Sequence, residues 1–237
     1  MSLRLLPLAA AFAAFAAFAL PASAAERNFM VTDFTKIRVD GPYSVKLTAG
    51  VPPSAKATGS SDALDKVSVQ VEGQTLVIRK SQSGWGGFPG DNPGPVTIAV
   101  GTHDLTAIWL NGSGGLKVNA VDGPSLDISV VGAGSVAIDK LTVDHLGVGV
   151  SGAGSAVLNG TANEAAATIS GTSSIDASAL KTKNATIGAS GAGVVKLSAS
   201  NTVKVNGEGA VTVELSGNPS CTLNLEGPAS VTGCRPH

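Results

Sequence analysis

From Ile108 onward, apolar and polar positions alternate in short bursts, each pair of bursts hinged on a glycine. The hinges read Leu110-Asn111-Gly112-Ser113-Gly114, Val130-Val131-Gly132-Ala133-Gly134, Val150-Ser151-Gly152-Ala153-Gly154, Ile169-Ser170-Gly171-Thr172-Ser173, Ala189-Ser190-Gly191-Ala192-Gly193, Val205-Asn206-Gly207-Glu208-Gly209 and Leu225-Glu226-Gly227-Pro228-Ala229. Two and four residues before the first glycine the chain is apolar, as at Leu110 and Ile108, Val130 and Ile128, or Leu225 and Leu223. Four and six residues after it the pattern returns, as at Leu116 and Val118, Val136 and Ile138, or Val211 and Val213. A period of two with small or polar residues between is the mark of strands that bury one face. Each hinge therefore joins two short strands at a sharp corner, where the absence of a Cβ matters.

Successive first glycines stand 20, 20, 19, 20, 16 and 20 residues apart, the short step marking a trimmed coil. Val121, Leu141 and Leu180, nine residues past their corners, mark a weaker third side. Asn119, Asp139, Asn159, Ser178 and Ser198 all fall seven residues past a corner and predict a polar column at a bend. Repeats of this length cannot bury an apolar face alone and must stack. The predicted fold is all-β: a single-domain, right-handed parallel β-helix with coils of about 20 residues, the hand following from the rule for parallel crossovers.

The stretch from Phe29 to Val100 lacks this rhythm yet alternates cleanly at Ile37-Arg38-Val39, Ser44–Leu47, Val67–Val71 and Thr75–Ile78. Gly41-Pro42 and Glu72-Gly73-Gln74 supply turns. It continues the solenoid irregularly and closes its N-terminal edge, since open ends need protection. Ser81 to Pro95, with five glycines and three prolines, reads as an exposed loop, and no good amphipathic helix is foreseen. Before all this, Arg4, an apolar run from Leu5 to Leu20, Pro21 and Ala22-Ser23-Ala24 compose a secretory signal peptide, with the mature chain starting at Ala25. An uncleaved anchor is the alternative, disfavoured by the short run and the cleavage signature. The expected division is a signal peptide at 1–24, a short lead at 25–33 and one solenoid domain at 34–237, with irregular coils at 34–106 and regular ones at 107–237.

Composition adds compartment and partners. A net charge of -1 gives no general attraction to nucleic acid or anionic lipid. Only 14% of residues are charged, and the polar surface is made of Ser, Thr, Asn and Gly, which suits flat β-faces. The two cysteines, Cys221 and Cys234, pair as a disulfide in an oxidising compartment. A metal reading would need further soft ligands, and only His237 is near.

Several short motifs mimic chemistry. Gly147-Val148-Gly149-Val150-Ser151-Gly152 fits G-x-G-x-x-G, but a dinucleotide site needs a following helix, and a corner and strand follow. Ser178-Ala179-Leu180-Lys181 fits S-x-x-K without its companion motifs or its helix. The corners lack the aspartates of a calcium-binding β-roll, as Gly134-Ser135-Val136 illustrates. Three sequons, at Asn111, Asn159 and Asn184, sit at turns that favour these residues anyway. A polysaccharide lyase or hydrolase would need carboxylates converging on one cleft. Asp122, Asp127, Asp139, Asp144 and Asp176 occupy different coil positions, and His103, His145 and His237 form no cluster. For binding, Trp109 has outward parity beside inward Ile108 and Leu110, and Trp85 and Phe88 lie in the glycine-rich loop. Exposed aromatics can stack on sugars or anchor a protein, whereas the simpler role for Trp109 is packing beneath that loop.

The order of segments is distinctive. Phe34-Thr35-Lys36-Ile37-Arg38-Val39-Asp40-Gly41-Pro42-Tyr43-Ser44-Val45-Lys46-Leu47-Thr48-Ala49-Gly50 is followed by Asp65-Lys66-Val67 and Gly73–Ile78. Pro95–Ile98 and Leu105–Ile108 then lead into Leu110–Gly114. This succession resembles the "putative auto-transporter adhesin, head GIN domain" family, a domain of unknown function, over most of the chain from about Phe34. The resemblance implies a β-helical exported domain and brings no catalytic residues. The expected function is a non-enzymatic structural or adhesion role at the cell envelope, periplasmic or on the cell surface, with no cofactor and no metal. The expected partner is a cell-envelope protein or polysaccharide, and a homo-oligomer is left open. A periplasmic carbohydrate-binding module is the alternative, a solenoidal polysaccharide-active enzyme the next.

Overall fold

A computed structural model describes residues 25–81 and 94–235. The expected signal peptide, Trp85, Phe88 and His237 lie outside the described residues, as does most of the glycine-rich loop. In chain order the elements are β1 (Ala25–Phe29), β2 (Lys36–Asp40), β3 (Ser44–Ala49), β4 (Ser54–Gly59), α1 (Ser61–Asp65), β5 (Val67–Glu72), β6 (Thr75–Lys80), β7 (Thr97–Thr102) and β8 (Ala107–Gly112). The long bent strands β9 (Gly115–Gly132), β10 (Ser135–Gly152), β11 (Ser155–Gly171), β12 (Ser174–Gly191) and β13 (Val194–Gly209) follow. β14 (Thr212–Ser216), β15 (Ser220–Glu226) and β16 (Ser230–Thr232) complete the chain.

From β8 onward every pairing among the described residues is parallel, each strand lying on the equivalent part of the next coil. The fold is the β-solenoid that the alternation predicts. Inward side chains stack in columns, one of which runs Ile108, Ile128, Val148, Ala167, Ile187, Val205 and Leu223. All but the last are buried, and each large aliphatic side chain so placed contributes roughly 1.5–3 kcal/mol. Val121, Leu141 and Leu180 are buried as expected, although Gly160 takes the equivalent place in β11 and bulges the ladder.

The two glycines of a hinge serve different ends. Gly152 has φ 103°, a conformation that disfavours side chains, and a Cβ there would stand 2.7 Å from the Gly132 carbonyl oxygen one coil back. Gly154 is needed for space alone, because a Cβ on it would meet Val130 Cγ1 at 2.9 Å inside the core. Where Ser173 replaces this second glycine its hydroxyl is buried and donates to the Val150 and Ser170 carbonyls, at 3.1 and 3.2 Å.

One hinge falls elsewhere than the spacing predicts. The corner that stacks on Gly191 is Gly209, with φ 91°, while Gly207 lies within β13 opposite Ala189. Glycines stand at both positions, so either frame satisfies the pattern. The core chooses the one that turns Val211 inward, where it is buried at the second hinge position. The last three corners, Gly191, Gly209 and Gly227, are thus 18 residues apart, two trimmed coils in place of one. The polar column also loses register, since Ser198 pairs with Lys181 and not with Ser178. Its members bond backbone and neighbouring groups: Asn119 accepts from the Ala49 N–H at 2.9 Å, and Asn159 donates to the Ile138 carbonyl at 3.3 Å.

At the N-terminal end, β2, the Gly41 corner and β3 form a coil laid directly on β8 and β9. β6 and β7 lie beneath it in parallel. The direction then reverses, with β5 antiparallel to β6, β4 antiparallel to β7, and β1 antiparallel to β4. The β5–β6 hairpin turns on Gly73-Gln74, with the glycine at φ 64°, as two-residue turns favour. Residues 25–29, ahead of the expected domain start, are thus its outermost strand on this side. Sequence patterning gives no helix here, yet α1 forms. Its single turn is too short to show a helical period, and the Ser60 hydroxyl caps it by accepting from the Ala63 N–H at 3.2 Å. Ala63 and Leu64 bury themselves over the end of the core.

Candidate outer-face binding site

The strand before each hinge presents three outward columns, which together make one long face. Trp109 stands in the central column and is 36% exposed. Its ladder neighbours are Arg38 and Ser129, followed by Gly149, Thr168 and Gly188. Side chains on successive coils stand about 4.8 Å apart, so beyond the indole the face is low and flat for several rungs. Arg38 is held beside it by Asp40, Nε to Oδ2 2.9 Å, and Asn111 donates to Asp40 Oδ1 at 2.6 Å.

On the flank away from the hinge the face deepens into a groove of about 830 Å³, lined by Asp127, His145, Glu164, Asn184, Thr186 and Lys204 among others. His145 Nδ1 lies 3.2 Å from Glu164 Oε2, and these side chains are 66% and 61% exposed. The Asp127 carboxylate lies over Gly147, where a Cβ would meet it at 2.5 Å. This gathering of Asp127, His145 and Glu164 is the part that sequence reading misses. Glu164 is out of the regular spacing because β11 is one residue short, and only the ladder brings it beside His145.

The remaining expected acids disperse. Asp122 and Asp144 line a second hollow of about 470 Å³ on the adjoining side, with Asn163 donating to Asp144 at 2.5 Å. Asp139 and Asp176 lie on the side that follows the hinge. The first pairs with Lys117 at 3.1 Å, and the second accepts from the Ser178 hydroxyl at 2.6 Å and its N–H at 3.1 Å. Those two bonds hold the Asp176 carboxyl below the usual carboxylate range. Next to it Glu214 raises the Lys196 ammonium, the pair standing 2.9 Å apart. Among the described residues no three His, Cys, Asp or Glu side chains are grouped to hold a metal ion.

The motif mimics resolve structurally. Gly147–Gly152 is all strand and enters a corner, so no helix dipole faces a phosphate. Ser178 and Lys181 flank a bulge in β12, with the serine hydroxyl donating to Asp176. His103 pairs with Asp33 at 3.3 Å, apart from His145. Cys221 and Cys234 form the disulfide, with Cα atoms 5.7 Å apart. The outer face thus combines one exposed indole, a flat run of small residues and an adjoining polar groove.

The chain is similar to crystallised proteins of the same size. One is a putative adhesin from Bacteroides fragilis NCTC 9343, 24% identical over 89% of this chain and 96% of that one, with a TM-score of 0.81. Another is a putative adhesin from Parabacteroides distasonis ATCC 8503, at 20% identity, 88% and 96% coverage and a TM-score of 0.71. A third, from Parabacteroides merdae ATCC 43184, stands at 15%, 89% and 96%, with 0.67. These likenesses show the shared fold. No curated protein matches this chain. The family model described as "putative auto-transporter adhesin, head GIN domain" matches residues 33–219, and the chain belongs to that family.

Proposed function

We propose that this is an exported, non-enzymatic β-solenoid with a structural or adhesive role at the cell envelope, contacting its partner through the outer face that begins at Trp109. The family and the disulfide support export to an oxidising compartment, the periplasm or the cell surface. Among the described residues no helix is long and apolar enough to cross a membrane. The observation that carries the reading is the juxtaposition of an exposed indole with a flat, small-residue surface spanning several coils. Such a surface lets an extended partner lie along the axis and touch each rung in the same way.

A carbohydrate-binding module is the second reading, favoured by the polar groove beside the indole. Expected partners are an envelope protein or polysaccharide. Wild type and Trp109→Ala would be compared on a glycan array and in capture from solubilised envelope fractions. The adhesive reading expects a protein partner that is lost in the variant. Sugar binding lost in the variant favours the module. Partners retained in full by Trp109→Ala place the contact elsewhere and overturn the reading.

A further inference from the structure

On the side that follows the Gly41 corner, β4, β7 and β3 lie next to one another, and their register sets small outward residues between longer ones. Ala99 stands between Lys46 and Lys56, and Gly101 between Thr48 and Ser54. Adjacent strands are about 4.8 Å apart, so the two lysines rise about 10 Å from each other across a low floor. Gly101 is required there, because a Cβ would meet Ser54 Oγ at 2.6 Å and the Pro52 carbonyl oxygen at 2.7 Å. Its missing side chain lets residues 51–53 pack against the end of the floor. The result is a hollow of about 960 Å³ walled mainly by apolar groups, among them Met30, Val51, Pro53 and Val100. Met30 is fully exposed beside it.

Charge decides the class of ligand. Lys56 is paired with Glu26 at 2.7 Å, and Lys117, the neighbour of Lys46 on β9, is paired with Asp139 at 3.1 Å. Lys46 has no ion-pair partner among the described residues, and none of their carboxylates lines the hollow. An apolar trough of ligand size with one uncompensated ammonium on its wall matches a molecule with a long apolar part and an anionic end. We infer that this hollow binds an anionic amphiphile, with an acyl or alkyl chain over Ala99 and Gly101 and its carboxylate or phosphate against Lys46 Nζ. A sugar or a free anion would leave the apolar wall in water, and a neutral hydrocarbon would leave the ammonium unanswered. Met30, unbranched and polarizable, adapts to such a chain, and the methylene stem of Lys46 carries the apolar wall up to the charge. The site needs nothing from the Trp109 face, which lies before the hinge.

The test is titration calorimetry of the purified, delipidated chain with decanoate, decyl phosphate and decanol, each below its micelle-forming concentration. Decanoate and decyl phosphate should bind one per chain, at least about tenfold more tightly than decanol. Lys46→Gln should remove that preference and leave decanol binding as it was. Ala99→Leu, which fills the floor, should abolish binding of all three, and both variants should keep the wild-type far-ultraviolet dichroism spectrum. Trp109→Ala should bind like wild type, which separates this site from the partner contact proposed above. Flotation with phosphatidylglycerol vesicles distinguishes a single bound amphiphile from a bilayer surface. No binding of either anion, a preference that survives Lys46→Gln, binding that survives Ala99→Leu, binding lost in Trp109→Ala, or association with vesicles alone would each overturn the inference.

Discussion

The two ends of the solenoid meet the same problem and treat it in opposite ways. At the N-terminal end the chain reverses into antiparallel β1, β4 and β5, and α1 lays Ala63 and Leu64 over the core. Ion pairs follow the rim: Glu26 with Lys56, Arg27 with Asp65, Glu72 with Arg79. At the C-terminal end the coils shorten to 18 residues, a disulfide pins the tail, and the inward leucines of β15 remain part-exposed. A parallel coil can be built indefinitely from one local rule, but the rule does not say how to stop. Residues that break the rule are plentiful in the N-terminal coils and, among the described residues, scarce in the last ones.

The contrast can be broken at graded cost. Gly152→Val combines a left-handed backbone with a contact 2.7 Å from a carbonyl and should destabilise the middle of the stack by about 3–5 kcal/mol in urea unfolding. A loss under about 1 kcal/mol would mean that the corners do not stack as described. Ile187→Ala, in the same column as Leu223 but fully buried, should cost about 3 kcal/mol, against under about 1 kcal/mol for the half-exposed Leu223→Ala. Equal losses would erase the distinction between interior and terminal rungs. Replacing both cysteines by Ala should cost about 2–3 kcal/mol, with proteolysis starting in β15 and β16. First cuts in the N-terminal cap would reverse the ranking of the ends.

The smallest effect concerns pH. The bonds from Ser178 lower the Asp176 carboxyl in the folded state, so their contribution is present above the unfolded carboxylate pKa and is lost as pH falls through the folded value. Ser178→Ala should return the Asp176 titration toward the ordinary aspartate range in NMR and flatten this acid-side dependence. An unmoved titration would assign the shift to another neighbour.

Much of the stack is legible in the chain because two periods coincide: two residues along a strand and about twenty between corners. Ile128, Val148 and Val205 can be placed facing inward from that alone. The frame of the sixth corner cannot, since Gly207 and Gly209 both fit, and only the stacking on Gly191 decides. The N-terminal cap is less legible because its pairing is non-local. Nothing in Lys36–Ala49 says that it will lie on β8 and β9, some seventy residues away. The outer face was half readable: parity turns Trp109 outward, but Glu164 meets His145 only through a coil one residue short. The exposure of Leu223 and Leu225 was unreadable, since in the chain they look like any other inward pair.

Hydrogen exchange, resolved by strand, tests most directly the claim that each rung is held by its neighbours and that, among the described residues, the N-terminal coils are the better covered. The account predicts slowest exchange in β9 to β12, intermediate protection in β5 and β6, and fastest exchange in β15 and β16. Protection of β15 equal to that of β6 would contradict it.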